Sequence, residues 1–289
     1  MAWRTLGATE LEREYSPSSC IGGDYRPFID AYVSRSVLAR ARVGAGMSQL
    51  DLRYGPGERC RLDLFLPRPP GAARPPPLLV FIHGGYWQEL SKDESSFAAT
   101  GCIDAGIALA ALGYTLAPAA SVAHIVQECR EALAWLRVQA GALGFDATRI
   151  AVAGSSAGAH LAAMCAWPQE GHASPVQAAV LVSGLYELEP LVGTSLNAAL
   201  GLDVNAARAL SPLLMPGAAG FPPCIVAWGE VETAEFKRQS REFADSLRRS
   251  GTRCQVLEAP QRNHFDVILD LADPATALGA ATLALMRSL

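Results

Sequence analysis

Ten residues, RIAVAGSSAG from Arg149 to Gly158, constrain this chain more than any other segment. The apolar run Ile150 to Ala153 is typical of a buried strand, and the Ala-rich run after the motif is typical of a helix. Between them lies Gly-x-Ser-x-Gly, in which Gly154 and Gly158 leave room for a sharp, strained turn around Ser156. A strand, a tight turn and a helix in this order predict a nucleophile elbow with Ser156 at its tip.

A second segment, LLVFIHGGYW, predicts a place where negative charge can be stabilised. Leu78 to Ile82 form a continuous apolar run, as expected for a central strand that is covered on both faces. The two glycines that follow allow the chain to bend close to a substrate. An ordinary Gly-Gly turn after a strand is the alternative. The predicted oxyanion hole consists of backbone N–H groups from Gly84, Gly85, Tyr86 and Ala157.

The base that would take the proton from Ser156 must be one of five histidines. His264 follows the short predicted strand Cys254 to Glu258 and a polar turn. It stands on a late loop, where the base is expected in folds that carry a nucleophile elbow. His172 lies in WPQEGHASP with no strand before it, which favours a solvated loop histidine. Structural roles are predicted for the other three, His83, His124 and His160.

The carboxylate that orients the base is expected after the strand Pro223 to Trp228, where the chain continues GEVETAEF. Glu230 stands one residue past Gly229, and Glu232 stands three past it. The Gly-x-x-acid spacing usual in this fold favours Glu232, and Glu230 is the alternative. Either residue type can accept a hydrogen bond from the imidazole and stabilise its cation.

Strands and helices alternate along the chain after an N-terminal arm, residues 1–47, that is predicted to be irregular. A packing helix is expected between Ser121 and Gln139, because apolar residues recur there at helical spacing. The pattern predicts one α/β domain over 1–289, with helices on both faces of a mostly parallel sheet and a helical cap insertion at 186–221. Pro-rich 67–77 is expected to be a surface connection. Eight strands are predicted: Leu50–Tyr54 and Arg61–Leu66, which form an antiparallel edge hairpin, then Leu78–Ile82, Ala108–Tyr114, Arg149–Ala153, Ala178–Val182, Cys224–Trp228 and Cys254–Glu258.

Composition narrows the partners and the chemistry. Of the 289 residues, 50% are hydrophobic and 18% are charged. A chain of this length and hydrophobic content can form one large core. A net charge of −4 without a basic cluster argues against nucleic acid and acidic membranes, and no leader or spanning segment is expected. Seven cysteines without a C-x-x-C pair fit reduced thiols and a cytoplasmic protein. No metal and no cofactor are expected, and the oligomeric state, a homodimer included, is open.

Several segments resemble the kynurenine formamidase family, also called arylformamidases, within the α/β-hydrolase fold. HGGYW from His83, GSSAGAHLA from Gly154, SGLYELEPL from Ser183, EFKRQSREF from Glu235 and NHF from Asn263 are similar to landmarks of that family in its order, as is LEREYSPSS near the start. The resemblance implies Ser156 as nucleophile, Glu232 as acid and His264 as base. The family usually has Asp where Glu232 stands and Pro where Ala234 stands.

The function expected from these observations is acyl transfer to water through an acyl-enzyme. The resemblance implies an aryl formamide such as N-formylkynurenine as the small-molecule substrate. A carboxylesterase for short-chain aryl or alkyl esters is the alternative, and a catalytically inactive hydrolase fold that only binds is the third hypothesis. Tyr86 and Trp87 are predicted to stack on an aromatic part of the substrate, or else to pack the loop. Weaker pocket candidates are Tyr25, Tyr186 and Phe221.

Overall fold

The computed structural model describes residues 2–67, 74–168, 173–216 and 218–289. Its centre is one sheet of eight strands in the order β1-β2-β4-β3-β5-β6-β7-β8. The strands are β1 (Ser48–Arg53), β2 (Arg61–Phe65), β3 (Leu78–Ile82), β4 (Ala108–Leu112), β5 (Ile150–Ser155), β6 (Ala178–Val182), β7 (Cys224–Val231) and β8 (Cys254–Asn263).

The strand pairing confirms the expected mostly parallel sheet. Strands β4, β3, β5, β6, β7 and β8 run parallel, whereas β1 pairs antiparallel with β2 and β2 pairs antiparallel with β4. Every residue of β3, β4 and β6 is buried, which explains why these strands are continuous apolar runs. The carboxyl ends of the parallel strands therefore share one edge, where the sites of such folds form.

Helices cover both faces of the sheet, as predicted. One apolar layer contains α4, α5 and α8, and the other contains buried residues of α2, α3 and α9. The predicted packing helix is α4, which begins after Ser121, whose hydroxyl accepts the N–H of His124, and ends before Gly144. The helices are α1 (Ala8–Glu14), α2 (Arg26–Val43), α3 (Ala99–Asp104), α4 (Val122–Leu143), α5 (Ala157–Ala166), α6 (Asn197–Leu200), α7 (Val204–Ala209), α8 (Ala234–Arg249) and α9 (Ala277–Arg287).

The prediction of an irregular N-terminal arm is wrong, because helices α1 and α2 and a 3-10 turn at Pro17–Ile21 occupy most of residues 1–47. Helix α2 buries only Tyr32, Ser36 and Ala39, so its sequence carries no broad apolar stripe that would reveal it. Pro27 in its first turn and Gly44 at its end mark its limits. Packing at a few positions stabilises this helix, and periodicity alone cannot detect that.

The region predicted to be a cap, 186–221, carries short helical pieces and no strand in its described residues. They are the 3-10 turns Glu189–Gly193 and Pro212–Leu214, with α6 and α7 between them. Most of the predicted surface connection at 67–77, and His172, lie outside the described residues. Within the described ranges, no helix combines the length and the apolar character needed to cross a membrane.

Candidate active site

Ser156 stands between β5 and α5 in a backbone conformation that few residues other than glycine adopt, with φ 57° and ψ −122°. Two close approaches enforce this turn. A Cβ on Gly154 would lie 2.2 Å from the carbonyl oxygen of Gly158, and a Cβ on Gly158 would lie 2.1 Å from that of Ile82. The backbone strain, about 1–3 kcal/mol for such a residue, is therefore held by glycine contacts with β3 and within the turn.

Glu232 and His264 come together through the register of β7 and β8. Val231 at the end of β7 pairs with Asn263 at the end of β8, so the next residue of each chain segment stands beside its counterpart. The imidazole Nδ1 of His264 lies 3.1 Å from Oε2 of Glu232, and both side chains are buried. The predicted polar turn before His264 is instead an extension of β8 up to Asn263, which carries the histidine to this edge.

Glu230 does not contact the histidine. Its side chain is exposed, and its Oε2 accepts the backbone N–H of Gln261 at 2.8 Å. Regular alternation would place residues two apart on the same face, but β7 has a register shift between Gly229 and Val231 and ends at Val231, so the two carboxylates diverge. Of the two glutamates considered from the sequence, the structure thus brings only Glu232 to His264.

The second oxygen of Glu232 has two further donors. The hydroxyl of Ser183 and the backbone N–H of Gly229 both donate to Oε1, each at 2.6 Å. The sequence motifs do not indicate Ser183 as a site residue. The available signal was its place directly after β6, since polar residues there reach the edge at which the parallel strands end.

The carboxylate fixes the tautomer of the histidine. An ionised Glu232 can only accept, so Nδ1 of His264 carries the proton and Nε2 keeps a lone pair. The rings of Phe236 and Phe265 pack edge-on against the imidazole, with centroids 4.5 Å and 5.4 Å away. These rings exclude water from the ion pair that Glu232 and His264 form when His264 takes up a proton, which strengthens their attraction.

The loop after β3 passes directly beside Ser156. A Cβ on Gly84 would lie 2.8 Å from the carbonyl oxygen of Ser155 and 3.2 Å from Cβ of Ser156. The next three residues, Gly85, Tyr86 and Trp87, have φ values of 89°, 48° and 59°. This left-handed run bends the loop around the serine, as a set of oxyanion donors requires.

Two buried histidines support this loop rather than titrate in it. His83 stacks on Tyr114 with ring centroids 4.2 Å apart, and the Tyr114 hydroxyl donates to the His83 carbonyl oxygen at 2.9 Å. Burial lowers the pKa of His83 to about 4, and it has the same effect on the pKa of His160. Both rings are therefore neutral at pH 7, as structural histidines.

The two aromatic residues of HGGYW have different surroundings. Tyr86 lines the cavity beside Ser156, and its hydroxyl donates to the carbonyl oxygen of Tyr15. Trp87 is fully buried behind the loop, edge-on to His160 at 5.1 Å, and is absent from the described lining. A side chain without exposed surface cannot stack on a substrate, so the position of Trp87 supports the packing alternative.

Ser156 and His264 line one cavity of about 250 Å³. The described lining contains the carboxylates of Glu89 and Glu94 but no Lys or Arg. Substrate selection is expected from the sequence to involve the N-terminal segment, but Tyr25 is the only residue of that segment that is predicted to line the pocket. Tyr186 and Phe221 are buried outside the described lining. The aromatic walls are Tyr15, Tyr25, Tyr32, Phe81, Tyr86, Phe97 and Phe265.

The loop that carries His264 and Phe265 packs against the start of α2. Tyr25 and Phe28 stack on Phe265, with ring centroids 5.5 Å and 5.7 Å apart, and the Tyr32 hydroxyl donates to the Phe265 carbonyl oxygen. The N-terminal helices thus help to position the residue next to His264. Among the described residues, no cluster of three or more His, Cys, Asp or Glu side chains could hold a metal ion.

The chain is similar to several known proteins. Residues 62–184 match the BD-FAE family model. Kynurenine formamidase from Danio rerio is 33% identical over 283 residues and that from Salmo salar is 32% identical over 285, each alignment covering 94% of both chains. A Silicibacter protein described as a candidate thioesterase has 30% identity and a TM-score of 0.81, covering 96% of this chain and 99% of its own.

An esterase from Pyrobaculum calidifontis shares the fold at a TM-score of 0.73 and 18% identity, with 99% of this chain and 95% of that chain covered. With the fish kynurenine formamidases as relatives and this fold, the molecule is a hydrolase of the α/β-hydrolase fold. Within that class, the extent of the match to the two fish proteins is decisive: the chain belongs to the kynurenine formamidase family.

Proposed function

We propose that this hydrolase cleaves an aryl formamide such as N-formylkynurenine, with Ser156, His264 and Glu232 as nucleophile, base and acid. The contact of Glu232 with His264, whose ring lines the same cavity as Ser156, carries this proposal. A nucleophile, a base and an orienting acid on three separate loops at one sheet edge form the arrangement that acyl transfer needs.

In the proposed reaction, Nε2 of His264 takes the proton from Ser156 Oγ while Oγ attacks the formyl carbon. N–H groups of Ala157 and of the Gly84–Tyr86 loop stabilise the oxyanion. The C–N bond then breaks as His264 returns the proton to the aniline nitrogen, leaving a formyl ester on Ser156. Water, deprotonated by His264, cleaves this ester to formate and the free serine. Glu232 stabilises the imidazolium in both halves.

The cavity supports an aromatic substrate with a small acyl group. Its volume of about 250 Å³ is below the range of about 300–1,000 Å³ common for drug-sized ligands. Seven aromatic side chains in the lining offer stacking surface to an aryl group. A formyl group is the smallest acyl group, so little of this space is needed on the acyl side.

The test is a steady-state comparison of N-formylkynurenine with 4-nitrophenyl esters from acetyl to octanoyl. We expect formamide hydrolysis, and a kcat/KM for the esters that falls about fourfold per methylene that cannot be seated, because each is worth about 0.8 kcal/mol. The Ser156→Ala variant is the blank. An enzyme that leaves the formamide intact and prefers octanoyl esters would overturn the formamidase assignment.

A carboxylesterase for short-chain aryl or alkyl esters is the second candidate. The same nucleophile and oxyanion donors can act on an ester, whose leaving group has no nitrogen to protonate. The apolar lining of the cavity can also hold the aryl or alkyl group of such an ester. The ester series above separates the two.

We further propose a cytoplasmic location, because all seven cysteines are free thiols, as expected in a reducing compartment.

A further inference from the structure

We propose that Ser183 is a positioning residue of this site, whose hydroxyl holds the carboxylate of Glu232 in place against His264. The inference rests on the proposed function, since it assigns Glu232 the role of orienting acid. Ser183 itself does not line the described cavity, so it acts through the carboxylate rather than on the substrate. Nothing in the Gly-x-Ser-x-Gly motif or in the HGGYW loop indicates this residue.

The backbone at Ser183 is unusual. It follows β6 directly, is fully buried and has φ 51°, a left-handed value that a non-glycine residue rarely adopts. Its N–H donates to the carbonyl oxygen of Ala227 on β7 at 2.8 Å. Such a conformation persists where the surroundings over-determine it, and here it directs the hydroxyl at Glu232 instead of continuing the strand.

The charge on Glu232 explains what this hydroxyl contributes. The carboxylate has no exposed side-chain surface, and no Lys or Arg of the described chain forms an ion pair with it. A buried carboxylate is stable only when donors replace its hydration. Ser183 and Gly229 supply two donors at 2.6 Å to Oε1, which leaves Oε2 for Nδ1 of His264.

The pH dependence should report this contact. The pair of Glu232 and His264 carries a net charge of −1 before it binds a proton and no net charge afterwards. Removing the Ser183 hydroxyl destabilises the charged form of the pair more than the form without net charge. The pair therefore binds its proton more tightly, and activity falls at a higher pH as the solution is acidified. Among the described residues, Tyr186, whose pKa burial raises far above its usual value, interacts electrostatically with Glu232, and Asp266, whose pKa burial also raises, lies two residues after His264.

The experiment compares Ser183→Ala with Ser240→Ala, a control at a buried serine of α8 whose hydroxyl has no partner in the described residues. In Ser183→Ala we expect kcat to fall about 10-fold to 100-fold with KM nearly unchanged, as for loss of one donor to a charged group. The acid limb of the kcat/KM profile should move up by about half to one pH unit. Ser240→Ala should match the parent.

A double-mutant cycle separates positioning from a general structural role. If Ser183 acts through the carboxylate, Ser183→Ala has little further effect in a Glu232→Gln background. An equal fold-loss in both backgrounds with an unmoved acid limb would overturn the inference. Should Ser183→Ala fail to fold, Ser183→Cys retains a weak donor and should show a smaller shift in the same direction; parental kinetics there would also overturn it. Failure of the proposed function shows separately, as a parent enzyme that leaves N-formylkynurenine intact or as activity that survives Ser156→Ala.

Discussion

The turn around Ser156 and the pair formed by Glu232 and His264 are built in contrasting ways. Gly154 and Gly158 enclose Ser156 within five residues of chain, and the constraint comes from backbone oxygens that lie within 2.2 Å of the point where a Cβ on either glycine would stand. Glu232 and His264 are 32 residues apart and meet because Val231 pairs with Asn263. A motif can therefore encode the first, whereas the second depends on strand register.

The HGGYW loop lies between these extremes. Its glycines and positive φ values are local properties, but Gly84 is confined by Ser155 and Ser156, which belong to a different strand and turn. Of its two aromatic residues, Trp87 packs in the core against His160, whereas Tyr86 lines the cavity and donates a hydrogen bond to Tyr15. Substitutions in the three regions should therefore differ in size and kind.

The largest effect is expected at the turn itself. Ser156→Ala should fold like the parent and lose hydrolysis by about 10³-fold or more, since only binding and oxyanion donors would remain. The measurement is kcat on the best substrate, with circular dichroism to check the fold. Ser155→Ala is the matched control and should retain most activity. Reversed results would contradict the assignment of the nucleophile.

A smaller effect is expected where register supplies the partner. Glu232→Gln should lower kcat by about 10²-fold to 10³-fold, because a neutral amide cannot stabilise the imidazolium and can misdirect its tautomer. Glu230→Gln is the control, since that exposed side chain is hydrogen-bonded to Gln261 and not to the histidine. Steady-state kinetics of the two variants decides between them, and comparable activity in Glu232→Gln and the parent would move the role elsewhere.

The smallest effect on catalysis is expected at Trp87. Trp87→Ala should lower the free energy of unfolding by about 3–5 kcal/mol, as for a large side chain removed from a core. The ratio of kcat/KM for aryl and alkyl acetates should change little, because the indole does not reach the described lining. Denaturant unfolding and the two esters test this. A selective loss of the aryl substrate with unchanged stability would restore Trp87 as a contact.

Strand periodicity and punctuation predicted most of the fold. The continuous apolar runs of β3, β4 and β6 could be read directly, because strands covered on both faces contain almost no polar residue. Helix α2 escaped prediction, since it buries only three residues and owes its stability to contacts with other elements. The polar end of β8 escaped for a related reason: pairing with β7, not its own composition, makes it a strand.

The sequence by itself determined the position of the turn around Ser156, the glycines that permit it and the family to which the chain belongs. Each of these depends on residues that are close along the chain or on patterns extending over much of it. Only the tertiary structure decided that Glu232 rather than Glu230 meets His264, that Ser183 supports the carboxylate, and that Trp87 belongs to the core. The reason is physical: those outcomes depend on strand register and on packing between distant segments, which local spacing does not specify.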